Sequence, residues 1–106
     1  MAKYFNLTGP GVIGGKDTHE LIAPGATNNV KSITISPSGS LDSTFSLFLE
    51  DNPISGTSRK ITMLNSIKVP YGSALILNET SMFNFGEEFG LYVKVGTSDS
   101  IDLIIN

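Results

Sequence analysis

Residues 44–50 (TFSLFLE) alternate without a break, with Phe45, Leu47 and Leu49 on one face and Ser46, Phe48 and Glu50 on the other. Successive side chains of a strand point to opposite faces, so this period predicts a half-buried β-strand. The same period recurs at residues 89–95 (FGLYVKV), with Leu91, Val93 and Val95 inward and Tyr92 and Lys94 outward. It recurs at residues 101–106, where Ile101, Leu103 and Ile105 oppose Asp102, Ile104 and Asn106. Residues 28–36 (NNVKSITIS) put Ile33 and Ile35 inward and Ser32 and Thr34 outward, and a shorter strand at residues 19–23 (HELIA) stops at Pro24 and Gly25. In residues 59–69, Ile61 and Met63 are followed by Leu64 and Ile67, and that break in parity predicts a bulge near Leu64 or Asn65.

Residues 63–77 (MLNSIKVPYGSALIL) hold two apolar runs and the corner that joins them. Pro70 has no N–H and Gly72 tolerates positive φ, so VPYG predicts a turn. Ala74, Leu75, Ile76 and Leu77 then run together without a charge, as in a strand covered on both faces, around which the other strands would layer. Residues 21–25 (LIAPG) and 67–72 (IKVPYG) echo one another, an apolar strand end followed by Pro and Gly, as repeated Greek-key corners would require. Residues 78–88 are irregular, and Met82, Phe83 and Phe85 are expected to close one end of the molecule. Residues 1–18 carry Gly9, Pro10, Gly11, Gly14 and Gly15, which leave room for one short edge strand at Val12 and Ile13. They predict an extended N-terminal arm. Residues 19–106 predict one all-β domain, an antiparallel β-sandwich or jelly roll with Greek-key connections and seven or eight short strands.

Composition narrows the partners. Seven Lys and Arg against ten Asp and Glu give a net charge of −3, and the longest basic cluster is the pair Arg59-Lys60. A phosphate backbone needs a concentrated basic face, so nucleic acid is not expected as a partner. No window approaches the roughly eighteen apolar residues of a membrane helix, and the opening residues lack the apolar stretch of a secretory leader. The chain has no cysteine, which removes disulfides and thiolate metal sites and suits folding in a reducing cytoplasm. Only 16% of residues are charged while 40% are hydrophobic, leaving apolar surface that a partner could cover.

Candidate chemistry is thin. His19 is the sole histidine and lies beside Glu20, but no nucleophile elbow or third partner accompanies it, so no catalytic residue is assigned and the chain is not expected to be an enzyme. A zinc site would have to rely on carboxylates. The acidic pairs Glu50-Asp51, Glu87-Glu88 and Asp99/Asp102 read as solvated turns and strand ends rather than calcium ligands, and glycine-rich nucleotide motifs are missing, so no cofactor or metal is expected. Asn6-Leu7-Thr8 and Asn78-Glu79-Thr80 match the glycosylation sequon by chance in the absence of a leader. Sugar binding would need a flat aromatic; Trp is absent, and Tyr92 and Tyr71 are the candidates. Phe48 is the odd residue of its strand, expected to face outward as an intersubunit contact or to be covered by a crossing loop.

The order of pieces resembles the small β-sandwich structural proteins of tailed bacteriophage virions. The likeness rests on the Pro24-Gly25 corner, the strand Val30-Lys31-Ser32-Ile33, the corner Val69-Pro70-Tyr71-Gly72 and the strand Leu91-Tyr92-Val93-Lys94. It covers residues 21–106 and departs at Tyr71, where a small residue is commoner, and in the Gly-rich arm. The resemblance implies a non-enzymatic virion component assembled in the host cytoplasm: a capsid decoration or cement protein, or a tail, neck or baseplate accessory. Its partners would be itself, as a homotrimer or other closed ring, and virion proteins such as the major capsid protein. Tyr4, Phe5, Val12, Ile13, Phe48, Tyr71, Tyr92 and Ile104 are the expected interface residues, with a carbohydrate- or receptor-binding module as the alternative.

Overall fold

The computed structural model describes residues 3–9, 18–25, 30–51, 59–78, 85–86 and 88–106. Eight strands run through them: β1 (Lys3–Thr8), β2 (His19–Ile22), β3 (Ile33–Pro37), β4 (Ser43–Glu50), β5 (Lys60–Val69), β6 (Leu75–Leu77), β7 (Gly90–Val95) and β8 (Ser100–Ile105). They form two four-stranded antiparallel sheets, ordered β1-β8-β3-β6 and β2-β7-β4-β5. The pairings nest: β1 with β8, β2 with β7, β3 with β6 and β4 with β5. Pairing of β3 with β8 and of β4 with β7 completes each sheet.

The two sheets share one core in a sandwich-like arrangement. Ile33, Ile35, Ile101 and Leu103 from the first meet Phe45, Leu47, Leu91, Val93 and Val95 from the second, all essentially inaccessible to solvent. These are the inward positions of the alternating strands, and burying each side chain contributes about 1.5–3 kcal/mol. Phe85 packs against this core from the β6–β7 connection; Met82, Phe83, Val12 and Ile13 lie outside the described residues.

The expected bulge is present. Phe45 pairs with Ile67 and Leu47 with Leu64, and the next pair, Phe48 with Thr62, shifts register again. Ser66 occupies the left-handed region at φ 53° inside the first bulge, and its N–H donates to Ser46 Oγ at 2.9 Å, replacing the lost ladder bond. Both predicted Pro-Gly corners carry a left-handed glycine, Gly25 at φ 87° and Gly72 at φ 84°, and the second closes with Ser73 N–H donating to the Pro70 carbonyl at 3.1 Å.

Three expectations change. Residues 3–8, read as part of a loose arm, form a regular strand bonded along β8, because Phe5 and Leu7 supply an inward face that the surrounding glycines obscured. The apolar run at residues 74–77 is not covered on both faces. It yields the three-residue edge strand β6, in which Leu75 and Leu77 are half-buried and Ile76 is 61% exposed. Of the two expectations for Phe48, the outward contact is the one that changes: it does not face solvent but is 1% exposed, on the side of β4 away from the core, stacked on Tyr92.

One end of the molecule is tied together around Asp99. Its Oδ2 accepts from Thr44 N–H at 3.0 Å, its carbonyl accepts from Gly9 N–H at 2.9 Å, and its own N–H donates to the Gly96 carbonyl at 2.9 Å. Ser38 N–H and Ser43 Oγ–H both donate to the Ser100 carbonyl, at 3.1 Å and 2.8 Å. The connections that follow β1, β3 and β7 are thereby held to one another.

Candidate interaction surface

The outer face of the β1-β8-β3-β6 sheet is polar except for one rung. Tyr4 lies opposite Ile104, Ile104 opposite Thr34, and Thr34 opposite Ile76, so one residue from each strand stands in a line across the whole sheet. Tyr4 is 75% exposed and Ile76 61%, while Ile104 and Thr34 between them are half-buried. The adjacent rung is polar: Asn6 Nδ2–H donates to Asp102 Oδ1 at 2.7 Å, and Asp102 lies opposite Ser36. A surface depression of about 440 Å³ lies here, bordered by Tyr4, Phe5, Asn6, Asp102, Leu103 and Ile104. Three predicted contact residues, Tyr4, Phe5 and Ile104, therefore border one site, and Tyr4 and Ile104 share its exposed rung. Ile76, which completes it, was missed: inside an unbroken apolar run, only the pairing of β6 with β3 shows which residue faces out.

The outer face of the β2-β7-β4-β5 sheet is closed instead. Phe48 and Tyr92 are cross-strand partners with ring centroids 6.1 Å apart and planes 21° from parallel. Lys60 Nζ sits 4.1 Å from the Phe48 ring centroid, and Tyr92 O–H donates to Glu20 Oε2 at 3.0 Å. Burial first, then the Glu20 carboxylate, pushes the Tyr92 phenol well above its ordinary range. With their rings spent on each other, Phe48 and Tyr92 offer no accessible face to a sugar or a partner.

Phe5 points inward and packs against the core, where it is only partly buried. Tyr71, 61% exposed, stands on the turn before β6, its N–H bonded to Asp42 Oδ1 at 2.7 Å. That bond, then Lys68 Nζ at 3.2 Å from Asp42 Oδ2, holds the Asp42 carboxyl below its usual range and ties the turn to the β3–β4 connection, where Leu41 is 76% exposed. His19 Nε2–H donates to the Thr8 carbonyl at 2.8 Å, linking the edge strands of the two sheets. Three of the described acidic residues are likewise engaged: Asp51 with Arg59 at 2.8 Å, Asp99 with Thr44, and Asp102 with Asn6. Among the described residues no three His, Asp or Glu side chains group as a metal would need. No family model, curated protein or solved structure matches the chain.

Proposed function

We propose that this chain is a non-enzymatic structural protein of a bacteriophage virion, a capsid decoration or cement protein that binds the assembled head as a homo-oligomer. The observation that carries the reading is the exposed rung Tyr4–Ile104–Thr34–Ile76 on an otherwise polar sheet face. A tile that contacts its own copies or a lattice needs such a patch, and a solitary soluble domain does not. The nested strand pairing supports a jelly roll with Greek-key connections, since it is what one long antiparallel hairpin rolled into two sheets produces, and jelly rolls recur in viral capsid proteins. The likeness of the 21–106 segment to small phage β-sandwich proteins adds the virion context, which a fold alone would not supply.

Quantitative mass spectrometry of gradient-purified particles of the encoding phage tests this. The chain should be found in a fixed, high ratio to the major capsid protein, and a folded Ile76→Asp variant should fail to bind particles that lack the protein. A ratio of a few copies per particle would move it to the tail, neck or baseplate, and its absence from particles would overturn the reading. One observation favours a carbohydrate- or receptor-binding module instead: Tyr71, with Leu41 exposed on the connection bonded to its turn, is an accessible aromatic at a loop tip. A glycan-dependent shift of Tyr71 resonances, lost in Tyr71→Ala, would support that alternative.

A further inference from the structure

Four strands lie at sheet edges: β1, β6, β2 and β5. Native sheets protect such edges with short strands, bulges and lysines, because a row of unpaired N–H and C=O groups templates further pairing. Three of the four are protected in this way. β6 has three residues, β2 has four with a register break between Glu20 and Ile22, and β5 carries two register shifts together with Lys60 and Lys68. β1 has none of these devices beyond Lys3 at its start; its six residues keep one unbroken register.

The hydrogen-bond parity of β1 follows from its end. Gly9 N–H donates to the Asp99 carbonyl, continuing the register in which Leu7 faces Ile101 and Phe5 faces Leu103, so the odd residues bond to β8. The N–H and C=O groups of Tyr4, Asn6 and Thr8 point the other way. The Thr8 carbonyl accepts from His19 Nε2–H. Among the described residues, this leaves Tyr4 and Asn6 as the two positions whose backbone donor and acceptor are both open on this edge.

We infer that this edge binds the same edge of a second copy, β1 against β1 across a two-fold axis, with Tyr4 of one copy opposite Asn6 of the other. In that register the four open groups on each side satisfy one another and the occupied Thr8 carbonyl is not needed. A register pairing Asn6 with Asn6 would call on it. Phe5, only partly buried in the single chain, comes to lie against its twin. Lys3 falls opposite Leu7, so the like charges of the two copies do not face each other, and the two Tyr4 rings are diagonal neighbours within aromatic reach. Self-pairing is favoured over an unrelated peptide because the two-fold closes both open edges at once and leaves the short β6 at each rim of the eight-stranded sheet. The closed ring is then one of two copies. The inference rests on the backbone and stands apart from the virion reading.

Light scattering across a dilution series, combined with amide hydrogen exchange, tests it on the full chain. The mass should rise with concentration from 11.3 kDa to twice that value. Across that rise the Tyr4 and Asn6 amides should become protected, joining Phe5 and Leu7, which β8 already protects. Asn6→Pro removes an N–H that faces only the edge, so it should abolish the dimer while Phe5 and Leu7 stay protected. If the proline variant does not fold, exchange in the unaltered chain decides alone. A monomer at every concentration, or any oligomer in which Tyr4 and Asn6 amides exchange as in the monomer, overturns the inference.

Discussion

Ser98 holds φ 66° in the turn that Asp99 N–H closes onto the Gly96 carbonyl. Positive φ at that third position is the type II arrangement, which glycine fills at Gly25 and Gly72. A side chain there costs about 1–2 kcal/mol, against about 0.5–1 kcal/mol for the extra unfolded freedom of glycine. Ser98→Gly should therefore raise stability by about 0.5–1 kcal/mol, read from the midpoint of urea unfolding. Tyr92 gives a second prediction. Its folded phenol is raised above the ordinary value near 10, so its contribution is complete below that pH and is lost as pH climbs through the folded value. Unfolding followed above pH 10 should show stability falling in the native chain, with a flatter profile in Tyr92→Phe. That Tyr92 and Phe48 face away from the core was legible in their alternation. Burial of Phe48 was one of two expectations for it, whereas burial of Tyr92 was not legible, because its stacking on Phe48 joins residues 44 positions apart.

At the scale of elements, clean alternation transferred directly into structure. β3, β4, β7 and β8 send to the core the residues that their period-two pattern assigns inward, although Phe48, Glu50 and Tyr92 on the opposite side are buried too, and the parity break of β5 became its bulges. The two strands that depart from their local pattern are the outer strands of one sheet. β6 is too short for a period to show, and β1 sits among glycines whose density suggested an arm. One of those glycines instead marks a close approach: a Cβ on Gly9 would lie 2.6 Å from the Val95 carbonyl oxygen. Gly9→Ala should thus unseat the end of β1, costing about 1–3 kcal/mol, the range typical of forced overpacking. A thermal midpoint that did not move would show that β1 can shift without loss.

For the whole molecule, the candidate surface was legible only in part. Tyr4 and Ile104 were each identifiable as apolar residues outside the core, but they lie opposite one another only because β1 pairs with β8, a register no local pattern records. The same nesting has a consequence for chain connectivity. Lys3 faces Ile105, so the start of β1 and the end of β8 lie side by side, and a glycine-rich linker could join the two strands there. Opening the ring at Ser40, in the exposed β3–β4 connection, would give a circular permutant in which the β1–β8 pairing, the most distant contact along the natural chain, becomes the most local. Loop closure then has less entropy to overcome for that pair, and stopped-flow refolding should be faster than for the natural order while the folded sheets keep the same strand neighbours.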